Sequence, residues 1–485
     1  MSVSTKIRQL AGQTVLYGLG NMLPRLLNFL LIRPQITAFN DPEKFGVLTN
    51  ILSLVALLNI VYSFGMETAF FRFASPSGAN AKRIFNIAQT AVTSLSLLFT
   101  GILFLSAPVL MDLMELSQPS LIVYMIFILL ADNLTLIPFA RLRLENKAMK
   151  FALYKLINVL ILVGLNLYFL CVVYDPAVGV GYVLIANLIA NCFYLFFFAK
   201  DLFAWRPVFD KELSAAMFRY AYPVMLTGLA AMMNEFFSRG LLTKLLPEGF
   251  YPGRTSQYAL GVFGACYKFS VLMNLGIQAF RMGAEPFFFS QAKEKNSPAL
   301  FALVNHYFII AGCFVMLAVA LNTDLLCFLF IPQKEYWEGL GIVPPLLLGY
   351  LFLGIYYNFT VWFKLTDRTY FGTYITVGGA LLTVALNCVF IPLWGYAGSS
   401  WATPIVYGGM MVACYALGQK YYPVPYFIFS GMAYIILSFV IIYAVKFMPY
   451  SNIFISTAGN GLLLLLFAGS AWMWERRRFP RDGVK

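Results

Sequence analysis

Fourteen apolar stretches, each long enough to cross a bilayer and joined by loops too short to hold a soluble domain, run the length of the 485-residue chain. A helix crossing roughly 30 Å of hydrocarbon needs about 20 apolar residues. The predicted crossings are 11–32, 45–66, 84–107, 120–140, 151–173, 178–199, 217–242, 257–280, 299–321, 340–363, 370–391, 397–418, 426–445 and 453–474. Hydrophobic residues make up 60% of the chain and charged residues 11%, against about a quarter charged in a soluble domain, which excludes a soluble enzyme. The first span follows Lys6 and Arg8 as a signal peptide's would, but it is too long, contains Pro24 and Arg25, and lacks a small-residue cleavage site. It is expected to stay as a crossing, and the fold class expected is an all-α polytopic membrane protein.

Lysine and arginine resist translocation and collect on the cytoplasmic side. With both termini placed there, 24 of the 34 lysines and arginines are cytoplasmic and six face the opposite side. All seven tryptophans lie near span ends, the headgroup level an indole prefers. The net charge of +13 therefore follows from topology and calls for no nucleic-acid partner. The tail Glu475-Arg476-Arg477-Arg478 is an inside anchor that can meet membrane lipids. The seven cysteines are scattered without metal or disulfide spacing, so no cofactor is expected. His306 is read as an interfacial residue at the start of its span, with a proton-relay role as the alternative.

Chemistry in such a chain sits in the polar residues inside the spans. A charge at the middle of a spanning helix costs about 2.5 to 3.5 kcal/mol on insertion scales, so each must face protein or a wet cavity. Arg25 shares a helical stripe with Asn21 and Asn28, and Pro24 beside it permits a kink. Lys268 falls near the middle of the eighth span with Asn274 on the neighbouring face. Glu235 and Arg239, four apart, can pair on one face. Asp132 is expected to pair with a cation of another helix or to carry a coupling proton. Glu67 and Arg72 flank the end of the second span as a solvated gate or cap, and Lys155 is expected to snorkel to the inner interface.

A weak internal repeat links Gly18–Met22 to Gly228–Met232 and Phe64–Phe71 to Phe280–Phe288 at a six-span offset. It predicts two six-helix lobes, residues 1–200 and 201–420, followed by a terminal helix pair and basic tail, 421–485. Parallel repeats of this kind are a transporter device. The connector 200–216 is expected to hold a short surface helix through Phe209, Leu213 and Met217.

The stretch from Leu10 to Phe73 carries the polar first span around Pro24-Arg25, the loop Phe39-Asn40-Asp41-Pro42-Glu43-Lys44-Phe45-Gly46, and Gly65-Met66-Glu67-Thr68-Ala69-Phe70-Phe71-Arg72-Phe73. It resembles bacterial polysaccharide-biosynthesis flippases of the Wzx type, in the multidrug/oligosaccharidyl-lipid/polysaccharide exporter superfamily. The resemblance implies a bacterial inner-membrane translocase that moves an undecaprenyl-pyrophosphate-linked sugar to the periplasmic leaflet by alternating access, alongside polysaccharide polymerase or glycosyltransferase partners. It also implies that Arg25 is placed like the cavity arginine of related lipid II flippases, and Lys268 where those carry an essential cation.

The buried charges lean cationic, which suits a pyrophosphate: a cation at about 4 Å returns on the order of 4 kcal/mol at an effective dielectric near 20. Tyr267, Tyr356 and Tyr357 are candidate stacking faces for sugars. Alternatives are a lipid II flippase, a multidrug or cation antiporter, which would prefer a carboxylate-lined cavity, and a membrane glycosyltransferase, for which the outside loops are too small.

Overall fold

The computed structural model describes residues 26, 27, 29–74, 81–291, 296–366, 368–446 and 453–478, the side chains of residues 234, 235, 285, 286, 289, 290 and 446 excepted. Among the described residues every regular element is helical, and ten helical stretches are long and apolar enough to cross a membrane. Large apolar side chains point outward, Leu105 at 86%, Leu465 at 72% and Phe429 at 92% exposure. The interior meanwhile holds polar groups such as Gln89, Asn166 and Asn387. That inversion suits a solvent of lipid tails, where an outward leucine costs nothing and backbone polar groups must be satisfied within helices. The chain is an integral membrane protein.

Two compact units are formed, one up to Gly264 and one from Ala265. In the first, α1 (Ile32–Phe39) ends at Asn40, whose φ of 50° reverses the chain. The next residue, Asp41, accepts a hydrogen bond from the Glu43 amide at 2.8 Å and caps α2 (Pro42–Ser63), with Pro42 in the first turn where its missing N–H is no loss. Phe64 and Gly65, at φ 48° and 67°, break the helix before α3 (Met66–Ala74). A Cβ at Gly65 would lie 2.8 Å from the Ala221 carbonyl oxygen, so this turn needs glycine both for its φ and for the close approach.

There follow α4 (Ala81–Leu105), α5 (Ala107–Met114), α6 (Pro119–Leu134), α7 (Leu136–Leu144), α8 (Ala148–Cys171), α9 (Gly181–Phe197), α10 (Ala199–Ala204) and α11 (Lys211–Leu245). The short surface helix expected around Leu213 and Met217 does not stand alone. Asp210 caps α11 by accepting from the Leu213 amide at 3.0 Å, and Met217 is buried in the first turns of that long helix, packed in one core with Met66, Phe70, Phe85 and Ala88. Phe209 lies just before the cap and is exposed.

α12 (Ser256–Gln291) begins in the first unit and continues in the second. Its start crosses α2 at backbone contact: a Cβ on Gly46 would meet the carbonyl of Gln257, and one on Gly261 the carbonyl of Pro42. The second unit continues with α13 (Ser297–Leu321), α14 (Thr323–Phe330), a 3-10 stretch Lys334–Ile342, α15 (Val343–Phe359), α16 (Val361–Leu365), α17 (Tyr370–Tyr421), α18 (Ile428–Lys446) and α19 (Ile453–Arg478). α17 covers two of the expected crossings, and Gly395, at φ 57° and ψ −138°, breaks it between them.

Candidate functional site

A polar cavity of about 420 Å³ lies inside the first unit, walled by α2, α3, α6, α7, α8 and α9. Its position follows from a helix break. α6 stops at Leu134, and the freed carbonyls near the joint are taken up locally: Thr135 Oγ1 donates to the Asp132 carbonyl at 3.0 Å, and Gln89 Nε2 donates to the Leu134 carbonyl at 3.0 Å. Satisfying these groups with side chains lets the chain turn inside hydrocarbon without orphaned backbone. The Asp132 side chain is thereby held one turn before the break, facing the cavity.

Asn59 of α2 donates from Nδ2 to Asp132 Oδ2 at 3.3 Å, and its Oδ1 accepts from Asn133 Nδ2 at 2.7 Å. Asn59 therefore uses both ends of its amide to orient one aspartate and one asparagine. Lys155 of α8 places its ammonium 4.2 Å from the Phe139 ring centroid and 4.7 Å from that of Tyr194, and it lines the same cavity as Asp132. A second pair joins Glu67 of α3 to Arg143 of α7. The Arg143 guanidinium also sits 5.0 Å over the Phe71 ring and 5.7 Å over that of Phe151. Two carboxylates and two cations thus line one space in formal balance. Amides, charged donors and acceptors, and aromatic faces around one cavity can bind a polar ligand, and intramembrane charges of this density are costly enough to mark a candidate functional site.

The sequence-predicted residues distribute as follows. Glu67 and Asp132 come together in this cavity. Arg72 does not join them; its guanidinium lies 5.1 Å over Tyr220, and the partner of Glu67 is Arg143. Arg239 donates to Ser53 Oγ at 3.0 Å, joining α11 to α2, while the side chain of its proposed partner Glu235 lies outside the described residues. Arg25, Asn21 and Asn28 also lie outside them. Lys268 is half-buried on α12 within the second unit, where Asn274 accepts from Gln278 Nε2 at 3.3 Å.

The tyrosines expected to stack on sugars are otherwise engaged: Tyr267 and Tyr356 are buried, Tyr267 bonding the Tyr350 hydroxyl, and Tyr357 carries the Arg281 guanidinium at 4.5 Å. Lys155 does not snorkel but turns inward. His306, expected at an interface, is buried with Nε2 3.0 Å from Glu475 Oε2. Asn59, Asn133, Arg143 and Lys155 are the cavity residues that spacing along one helix did not bring together; for Asn59 and Asn133 a polar residue inside an apolar span was the available signal, while Arg143 and Lys155 lie near span ends and gave none.

Residues 10–292 match the polysaccharide biosynthesis protein family. The chain belongs to that family. Its fold is similar to that of the lipid II flippase MurJ in an inward closed conformation, with a TM-score of 0.73 at 15% identity, covering 95% of this chain and 99% of that one. An inward-facing multidrug resistance MATE transporter of the MOP superfamily is similar at a TM-score of 0.58 and 15% identity, over 85% of this chain and 95% of the other. At 15% identity these likenesses carry the fold alone. No curated protein matches the chain in sequence.

Proposed function

We propose that this family member is a flippase that carries an undecaprenyl-pyrophosphate-linked oligosaccharide repeat unit, of the O-antigen, capsule or exopolysaccharide class, from the cytoplasmic to the periplasmic leaflet by alternating access. The observation that carries the reading is the balanced, hydrogen-bonded cavity of Asn59, Asp132, Asn133, Lys155, Glu67 and Arg143, set among membrane-spanning helices of a polysaccharide-biosynthesis fold. Asp132 and Lys155 hold the cargo's polar groups in turn with each other, while Glu67 with Arg143 gates the cavity and Arg72 steadies the end of α3. Arg25 and Lys268 are assigned to the pyrophosphate, supported by Asn21, Asn28, Arg239 and Asn274, with Glu235 tuning the charge of Arg239.

The proposed topology has fourteen crossings: the ten long apolar stretches, a second crossing within α17, the shorter Gly181–Phe197 and α11, and the crossing expected from the sequence at 11–32, most of which lies outside the described residues. Both termini are then cytoplasmic and the membrane is the bacterial inner one. The test is surface glycan restored in a flippase-null strain, normalised to membrane abundance. Asp132→Asn, Lys155→Gln and Arg25→Ala each lower restoration at least about tenfold, as loss of one charged contact worth roughly 1.4 kcal/mol or more does. Full restoration by all three sinks the reading.

A further inference from the structure

α17 covers two expected crossings and turns between them at Gly395, so its first residue, Tyr370, and its last, Tyr421, belong to one membrane surface. Ring contacts bring the two ends together. Phe371 lies 5.4 Å from the Tyr421 ring, and both rings pack on Trp362 of α16, at 5.4 Å and 5.7 Å between centroids. Trp362 is the fixed point: it is buried, its Nε1 donates to the Cys414 carbonyl in the last turns of α17 at 3.1 Å, and its indole stacks on Tyr421 at 18°.

Two cations are mounted on the Tyr421 ring. The Arg368 guanidinium lies 4.3 Å and the Lys420 ammonium 5.7 Å from its centroid. The loop between α16 and α17 carries Arg368 there, its amide donating to the Phe363 carbonyl at 2.8 Å and its carbonyl accepting from the Phe371 amide at 3.1 Å. Among the described residues neither cationic side chain forms a hydrogen bond or an ion pair; Asp367, next to Arg368 in sequence, lies outside them. Two like charges over one ring repel, and the ring quadrupole offsets only part of that. An anion offsets the rest. A guanidinium over a ring can still take two phosphate oxygens through its edge, and holding it there beforehand lowers the ordering cost of binding.

We propose that Arg368 and Lys420 dock the phosphodiester headgroup of an anionic membrane phospholipid. The surrounding surface selects a lipid over a dissolved anion. Tyr370, 4.6 Å from the Phe371 ring, and Tyr374, 5.9 Å from Tyr370, are 49% and 68% exposed. They stand at the end of a membrane-spanning helix, where a ring with a polar tip meets acyl chain and headgroup together. A zwitterionic lipid would bring a third cation to the site, so the headgroup is one without an amine. A lipid bound here joins α16 to both ends of α17 and steadies the second unit.

The test uses the purified full chain in nanodiscs of phosphatidylcholine with a graded fraction of phosphatidylglycerol, and reads the melting midpoint. The midpoint rises with the phosphatidylglycerol fraction. Arg368→Gln and Lys420→Gln each raise the fraction needed for half of that rise about fivefold, the worth of one basic residue near an anionic surface. Lys82→Gln, which removes an exposed cation of the first unit, leaves that fraction unchanged, and inorganic phosphate leaves the midpoint in pure phosphatidylcholine unchanged. If the loss of a cation–π contact lowers a variant's midpoint in pure phosphatidylcholine, the half-rise fraction still reads lipid binding. Four results overturn the site: no rise with phosphatidylglycerol, unchanged half-rise fractions in both variants, an equal loss in Lys82→Gln, which names diffuse surface charge, or a rise with inorganic phosphate, which names a dissolved anion. Transport is not the readout, so the outcome is separate from that of the proposed function.

Discussion

Replacing His306 by leucine should be one of the most damaging single changes in the second unit. Its Nε2 lies 3.0 Å from Glu475 Oε2, with side-chain exposures of 0% and 7%, and Tyr434 donates to the other carboxylate oxygen at 2.9 Å. The three residues come from α13, α18 and α19, so the cluster ties the last two helices to α13. Removing the histidine leaves a buried carboxyl group with one hydroxyl donor, and stranding a buried polar group in this way costs about 1–3 kcal/mol. Tyr434→Phe removes a hydrogen bond to that carboxylate, worth about 1.5–3 kcal/mol. Both figures are large against a typical total stability of about 5–15 kcal/mol. Replacing both partners with His306→Leu and Glu475→Leu removes the stranded carboxyl group along with the histidine, so the double variant should be more stable than His306→Leu alone. The assay is the fraction of detergent-solubilised chain that stays monodisperse on heating. A double variant as unstable as the sum of the two singles would refute the reasoning, because independent losses add and the losses of two residues in one buried contact do not.

Three further outcomes follow from the packing and charges. Gly46→Leu forces a side chain into the Gln257 carbonyl, a backbone atom that cannot swing aside, so membrane abundance and melting midpoint should both fall, in keeping with overpacking costs of about 1–3 kcal/mol; an unchanged midpoint would mean the two helices separate freely. Glu67→Gln, at a pair whose side chains are 30% and 32% exposed, should cost under about 1 kcal/mol in stability while lowering glycan restoration, and a large stability loss with normal transport would make the pair structural. In the loop between α7 and α8, burial raises the Glu145 carboxyl, but hydrogen bonds from Lys147 and Arg141 outweigh it and hold the group below the usual carboxylate range. A lowered folded value means its stabilisation is complete above the unfolded value and is lost as pH falls through the folded one, so amide exchange at residues 145–147 should quicken only in acid; equal rates in Glu145→Gln and parent at neutral pH would contradict this.

The membrane architecture was legible because lipid imposes a length and a composition on every crossing, and the Asp41-Pro42 start of α2 is a local capping signal that any reader of the sequence can use. The partners of the charges were not legible. Arg72 is near Glu67 in sequence, yet Arg143 takes the carboxylate because the break at Phe64 and Gly65 swings α3 toward α7. Lys155 sits two turns into α8, close enough to an end to snorkel, but the rings of Phe139 and Tyr194, supplied by two other helices, draw it inward. Glu475 reads as the first residue of a basic tail, and only the fold reveals that α19 runs through it and buries it against His306. Helical periodicity tells which residues share a face of one helix; it carries no information about which helix that face meets.

The central claim is that the chain moves a lipid-linked oligosaccharide across a bilayer. Reconstituting it into liposomes loaded with undecaprenyl-pyrophosphate oligosaccharide, and following the fraction of sugar open to an external glycosidase, measures that directly. The account predicts that the initially protected fraction becomes accessible far faster than in protein-free liposomes, and that liposomes carrying Asp132→Asn, reconstituted in equal amount, lose most of that acceleration. A protected fraction that stays protected at the protein-free rate would contradict it.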